Sequence, residues 1–352
     1  MRRARRLLGL AGRIAGANLR RPGLPLKLTF ILTYVCDCRC AMCNIWKRRD
    51  KGGMTAEEVD RFFGSHTGFP WVNLSGGEIF AHPEIDGILA AVARTNRGIY
   101  LVDFPTTGQR TERIVPSVER LLGYSPPRVM VTVSLDGPGA KHDEIRGRRG
   151  AFENCLRTFQ ALRGLRAKNL FVYFGVTLSR FNRGELFAIF ESVRERIPGI
   201  RYGDFHVNLA QESAHYYQNV GLGLPPEHEA LRDIDEFLRR KGRSFHPVAF
   251  LESTYQRLLG KFLRTRRCPL PCAALHSSLF IDPHWTVFPC SMWDAPLGNL
   301  RDAGFSLDRL WNSAETLARR AEVVAEKCPH CWTPCEAYQT ILANLGRTLP
   351  GC

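Results

Sequence analysis

The chain has no apolar run long enough to cross a bilayer (roughly 18 residues), so nothing in it reads as a membrane span. The N-terminus lacks an apolar signal core with a cleavage site, which points away from export and toward the cytoplasm. No internal repeat or low-complexity tract is present, which argues against a solenoid or an array. Acidic residues are missing from positions 1 to 27, where Arg2, Arg3, Arg5, Arg6, Arg13, Arg20, Arg21 and Lys27 stand. That segment holds eight of the fifteen excess positive charges of the chain. A stretch of one sign suits an anionic surface, lipid or nucleic acid, or else a solvated leader helix. At about 100° per residue, Arg2, Arg6, Arg13 and Arg20 fall on one side of a helix over residues 2–21. Leu7, Ala11, Ile14 and Ala15 fall toward the other. This is the pattern of a basic amphipathic helix lying peripherally on an anionic membrane, here the inner face.

Cysteine, by contrast, is abundant, with 12 in 352 residues. In a reducing compartment clustered cysteines are metal ligands more often than disulfides. They fall at 36–43, 268–290 and 328–352, with Cys155 alone between. Cys155 lies in GAFENCLRTFQALRGL, whose helical period makes it a core thiol.

Apolar, β-branched segments at 27–35, 71–75, 99–104, 128–136, 170–178 and 202–210 read as strands. Helical patterns alternate with them, one opening on a capping signature, Thr55 with Glu58 three residues on. Six such alternations imply parallel βα units, either doubly wound or barrel-like. After about residue 245 the alternation stops. A short strand pair in SSLFID and TVFPC, a helix over roughly 306–326 and the last cysteines suggest a smaller unit. The expected division is a basic segment 1–26, a core domain 27–244 and a cysteine-rich domain 245–352.

The stretch TYVCDCRCAMCNIW follows directly on the first strand. Loops at strand C-termini face the active site in parallel βα folds. Cys36, Cys40 and Cys43 make C-x3-C-x2-C, and three thiolates on a four-iron cubane leave one iron open. Zinc usually takes four ligands, often as two C-x2-C pairs, and no second pair lies nearby. Cys38 falls between two of the three and reads as a packed or idle thiol.

On these residues the chain resembles the radical S-adenosylmethionine (radical SAM) enzymes, whose defining motif is this loop. Met42 stands where that family usually has an aromatic residue. SGGE, Ser75 to Glu78, resembles the family's motif after the second strand, which implies that Gly76, Gly77 and Glu78 contact the methionine amino group of SAM. VTVSLDGPGAKHDEIRGRRGAFE, residues 131–153, resembles the fourth-strand segment of SPASM-type members. That likeness implies SAM contacts from Ser134 and from Arg146, whose fork suits a carboxylate. Asp136 reads as a turn residue before Gly137–Pro138, and Arg148 and Arg149 as surface charges. Thr177 and Asn182 are weaker candidates. Asn208 and His206 could line a substrate cavity, although a histidine on such a strand is more often a satisfied core residue.

FIDPHWTVFPCSMWDAPLGNL is similar to the SPASM hairpin, with Trp285 near the place of the usual turn glycine. The spacing of Cys272, Cys290, Cys328 and Cys331 looks like the shortened, one-cluster form called twitch. It implies one auxiliary [4Fe–4S] cluster, with Cys335 and Cys268 competing as further ligands, Cys352 at the chain end, and zinc as the alternative occupant.

The resemblance covers nearly the whole chain from Lys27. It implies an α/β fold, a partial (β/α)6 TIM-like barrel with a small cysteine-rich SPASM/twitch-like domain. It implies an enzyme in which a [4Fe–4S] cluster on Cys36, Cys40 and Cys43 reductively cleaves SAM. The 5′-deoxyadenosyl radical so formed takes hydrogen from substrate. The substrate is open among a peptide, a small alcohol, a sugar and a lipid. Only 26 residues precede the barrel, which weakens the peptide option. A reductase such as flavodoxin or ferredoxin would be the electron partner. The competing class is a non-catalytic zinc protein that binds nucleic acid through its basic N-terminus. That reading leaves SGGE and SLDG unexplained and lacks aromatic platforms among the basic residues.

Overall fold

The computed structural model describes residues 2–19, 23–66, 68–224, 229–242 and 247–348. Six parallel strands form in chain order, β1 (Lys27–Ile31), β2 (Trp71–Ser75), β3 (Leu101–Thr106), β4 (Arg128–Ser134), β5 (Leu170–Leu178) and β6 (Phe205–Leu209). The helices are α1 (Arg2–Asn18), α2 (Ala56–Ser65), α3 (Ile85–Arg94), α4 (Thr111–Gly123), α5 (Ala140–Arg146), α6 (Ala151–Gly164), α7 (Leu186–Arg194), α8 (Glu229–Lys241) and α9 (Pro247–Thr265). The expected capping box at α2 forms, with Glu58 N donating to Thr55 Oγ1 at 3.1 Å and Thr55 N to Glu58 Oε2 at 2.9 Å.

The sheet is a partial barrel and does not close. Its outer parallel strand β6 is covered by α9, as an exposed edge requires. Glu252 Oε1 accepts the Val207 N–H at 3.1 Å, and Gln256 Nε2 donates to the Val207 carbonyl at 3.1 Å.

The cysteine-rich C-terminal part is not set apart from the sheet. Strand β7 (Ser278–Ile281) pairs in parallel with β1, and β8 (Thr286–Phe288) and β9 (Gly298–Asn299) follow antiparallel, giving the order β6-β5-β4-β3-β2-β1-β7-β8-β9. The helix expected over 306–326 is two helices, α10 (Leu307–Trp311) and α11 (Ala314–Val324), because Ser313 Oγ caps a new start by accepting Thr316 N at 3.2 Å. The last helix is α12 (Pro334–Leu342). Trp285 sits in the hairpin turn with φ +67°, a conformation that favours glycine. Its ring is fully buried against Phe30, Phe62 and Phe305, and that burial offsets the backbone cost.

Helix α1 forms as expected; Arg20 and Arg21 lie outside the described residues. Its facing differs from the simple pattern. Arg6 Nε donates to the Arg97 carbonyl at 3.2 Å and Arg13 Nη1 to the Leu24 carbonyl at 2.9 Å, so two arginines of the expected basic face dock on the chain. Arg3, Arg5, Leu7 and Leu8 lie outward. Among the described residues no helix is long and apolar enough to cross a membrane.

Candidate active site

The C-terminal ends of β1 to β6 surround a cavity of about 250 Å³. Cys36, Cys38, Cys40, Met42 and Cys43 line one wall, and the Gly76–Gly77 turn, Ser134, Asp136, Arg146, Thr177 and Asn208 line others. The chain reaches this arrangement by stitching neighbouring strand ends together. Gly77 N donates to the Thr33 carbonyl and Glu78 N to the Val35 carbonyl, both at 2.8 Å. A Cβ at Gly77 would stand 2.2 Å from the Val35 carbonyl oxygen and 2.9 Å from Cys36 Cβ, so only glycine lets this turn meet the cysteine loop.

The cysteine loop is clasped from the other side by α5. Arg39 N donates to the Arg146 carbonyl at 2.9 Å, Ala41 N to the Ile145 carbonyl at 2.8 Å, and Arg148 Nη1 to the Asp37 carbonyl at 2.8 Å. Gly147 ends α5 at φ +58°, and a Cβ there would stand 2.5 Å from the Arg39 carbonyl oxygen. Arg148 is therefore a structural donor to the loop, not the surface charge its sequence suggests, whereas Arg149 is exposed. Asp37 takes Thr107 Oγ1 at 2.9 Å and Arg110 Nε at 3.0 Å, which ties the loop to the end of β3.

Asp136 is likewise more than a turn residue. Its side chain is fully buried and pairs with Arg146 Nη2 at 2.5 Å, while Oδ1 accepts Thr177 N at 2.8 Å. Arg146 also places Nη1 3.5 Å from Cys40 Sγ and leaves its buried Nε without a partner among the described residues. Its fork is thus held by the protein, with one donor left over. Cys40 accepts a hydrogen bond from the Cys38 thiol, which together with Arg146 holds it below the ordinary thiol range. Burial pushes Cys36 and Cys43 up to about 12, so metal binding would have to release their protons.

Glu78 departs from its expected role. It is buried away from the cavity, where Oε1 accepts Thr106 Oγ1 at 3.0 Å and Phe80 N at 3.1 Å, and Oε2 accepts Thr107 N at 2.5 Å. Burial, then Asp37, pushes it up to about 7. It orients the β3 end and does not itself line the cavity. Asn182 is similar, donating to the Asp136 and Thr177 carbonyls. His206 stacks on Tyr173 at 4.1 Å and lines a separate cavity beside α8 and α9, and Cys155 is fully buried as a core residue.

Residues 210–224, after β6, supply groups the sequence did not single out. Asn219 Nδ2 donates to the Met42 carbonyl at 2.9 Å, and Tyr216 Oη donates to the Gly76 carbonyl at 2.8 Å. Tyr216, Tyr217, Gln211 and Asn219 all line the cavity. Their one sequence signal is position, the C-terminal end of the sixth strand.

A second, smaller cavity lies in the C-terminal part. Cys268, Cys272, Cys290, Cys328 and Cys331 face it together with His330 and Glu336. Cys335 departs from the expected set. It lines the first cavity, because α12 begins between the two and turns Thr333, Pro334 and Cys335 one way and Glu336 the other. Cys352 lies outside the described residues.

Both donor sets fit an iron–sulfur group, since thiols from separate backbone positions surround one space in each. Among the described residues, no group of three or more His, Cys, Asp or Glu is arranged to hold a single metal ion. Residues 30–193 match the Radical SAM superfamily, and residues 272–332 match SPASM, an iron–sulfur cluster-binding domain.

The chain belongs to the radical SAM superfamily. It is an enzyme of the SPASM type, and its cofactors are a [4Fe–4S] cluster, SAM and auxiliary iron–sulfur. The reading as a non-catalytic zinc protein is set aside by these matches. The chain is 23% identical over 321 residues to the antilisterial bacteriocin subtilosin biosynthesis protein AlbA of Bacillus subtilis, covering 87% of this chain. It spans 65% of the length of that protein. It is 24% identical over 331 residues to the AdoMet-dependent heme synthase of Methanosarcina barkeri, covering 87% of this chain and 88% of that one. In fold it is similar to anSMEcpe solved with bound AdoMet and the Cp18Cys peptide, with a TM-score of 0.59. That match has 14% identity and covers 92% of this chain and 98% of that one.

Proposed function

We propose that this enzyme holds its SAM-binding [4Fe–4S] cluster on Cys36, Cys40 and Cys43. When bound, cluster and SAM supply a one-electron cleavage and a 5′-deoxyadenosyl radical that takes hydrogen from substrate. The observation that carries the reading is the meeting of these three thiols with the Gly76–Gly77 turn and Arg146 around one cavity. In this reading the Gly76–Gly77 turn, Ser134 and the unpartnered Arg146 Nε orient SAM. Glu78 acts from behind, by fixing Thr106 and Thr107. Tyr216 and Tyr217 wall off the cavity from water, which protects a reactive carbon centre. The auxiliary cluster sits on Cys272, Cys290, Cys328 and Cys331, with Cys268 as the competing ligand. A flavodoxin or ferredoxin supplies the electron.

A peptide is the substrate class favoured here. It is supported by the relative named for subtilosin biosynthesis and by the peptide bound to the structural neighbour. The heme synthase relative supports a small molecule instead. The outward Arg3 and Arg5, beside exposed Leu7 and Leu8, favour contact with an anionic membrane surface as an added property.

The test is anaerobic cleavage of SAM with dithionite. Cys36→Ala, Cys40→Ala and Cys43→Ala each abolish 5′-deoxyadenosine, whereas Cys38→Ala retains it. Two cubanes give about eight irons per chain, and the triple variant keeps about four. Full activity in Cys40→Ala would end the radical SAM assignment of this loop.

A further inference from the structure

Cys335 is a half-buried thiol that lines the first cavity, and no cluster needs it. Five other cysteines already face the second cavity, one more than a cubane takes. The backbone of Cys335 is pinned, with Lys27 Nζ donating to its carbonyl at 2.7 Å and Gln339 Nε2 at 2.5 Å. Its position is therefore set by the fold.

Two independent features show that this wall is built to meet a ligand. Thr333 is the N-cap of α12, yet its side chain makes no cap bond, and its buried Oγ1 has no partner. The residue is 3% exposed and lines the cavity. Gln211, 7% exposed, uses Oε1 to accept Trp332 N at 3.1 Å, and its Nε2 is left unpartnered in the same cavity. An unpaired buried polar group costs free energy unless something bound satisfies it. Cys335 stands near Thr333 on this wall, and Tyr216, Tyr217 and Cys43 line the same cavity. Burial, opposed by Lys27, raises the Cys335 thiol above its ordinary range, which keeps its hydrogen on sulfur.

We propose that Cys335 is a hydrogen-atom donor to carbon radicals formed in this cavity, with Thr333 and Gln211 binding the polar group of the substrate next to the reacting carbon. The inference rests on the radical SAM reading above. The step balances as follows. The S–H bond breaks homolytically, a C–H bond forms on the radical carbon, and the sulfur is left as a thiyl radical. One electron from the iron–sulfur reductant and one proton from solvent restore the thiol. The product is then redox-neutral with respect to the substrate carbon, since the hydrogen removed is replaced.

The experiment needs only SAM as probe. Reconstituted holoenzyme is reduced with dithionite in D2O, where thiol hydrogen exchanges for deuterium. Without substrate, the adenosyl carbon radical takes the nearest labile hydrogen. Wild-type protein is expected to give 5′-deoxyadenosine carrying one solvent deuterium by mass spectrometry. Cys335→Ala and Cys335→Ser are expected to lower that label to background while keeping the wild-type iron content. Persistent label in both variants overturns the proposal. So does loss of one cluster's iron from both, which would make Cys335 a ligand. Loss of iron in Cys335→Ala with iron kept in Cys335→Ser also overturns it, because a serine oxygen can stand in for a cysteine ligand. If wild-type protein makes no 5′-deoxyadenosine, the radical SAM reading of the cysteine loop fails first and this proposal falls with it.

Discussion

Replacing Asp136 by Asn tests how the protein holds Arg146 beside the cysteine loop. The aspartate is fully buried and its partner guanidinium is 12% exposed, at a separation of 2.5 Å. Asparagine keeps the shape and can still accept Thr177 N, so only the charge is lost. The arginine is then a buried cation whose remaining partner is Cys40 Sγ at 3.5 Å. Breaking one side of a buried pair costs about 3–5 kcal/mol, and the retained hydrogen bond puts this variant near the lower end, about 3 kcal/mol. Removing both charges should cost less, because no unpaired ion remains. Asp136→Asn with Arg146→Met is therefore expected to be more stable than Asp136→Asn alone, a non-additive cycle. The measurement is denaturant unfolding of the metal-free chain by circular dichroism, so that cluster loss does not enter. A single variant within about 0.5 kcal/mol of wild type, the range of an ordinary surface change, would refute the pairing.

Trp285→Gly removes a left-handed backbone cost of about 1–2 kcal/mol and a ring whose loss from a core costs about 3–5 kcal/mol. The variant should be destabilised by about 1–4 kcal/mol in the same unfolding assay, and a stabilised protein would contradict the account of the turn. Liposome co-sedimentation should show binding to anionic but not neutral vesicles, weakening as salt rises. Arg3→Glu with Arg5→Glu should abolish it, since each basic group near an anionic leaflet is worth about 1 kcal/mol; unchanged sedimentation would assign α1 to docking alone.

What the sequence makes legible is what local chemistry dictates. Strand β1 and the capping box of α2 follow from apolar runs and from Thr55 with Glu58; the box forms as expected, and β1 starts at Lys27 but ends at Ile31, short of the expected 35. The cysteine loop is readable because its three thiols lie within eight residues, so no distant part of the fold is needed to bring them together. Arg146 and Asp136 are ten residues apart, and each has an ordinary local role available, as a helix end and a turn. Their pairing appears only once α5 folds back over the loop. Arg6 and Arg13 mislead for the same reason, since periodicity gives the faces of a helix but not which face meets the protein. Cys335 is the sharpest case. Spacing groups it with Cys328 and Cys331, because three residues separate it from the latter. The start of α12 falls between them, however, and turns one thiol into the barrel and the others toward the second cavity. A cysteine motif thus reports proximity along the chain, while the helix start decides which chamber each sulfur enters. In this chain that one turn of helix separates the cysteines of the second cavity from the one that lines the first.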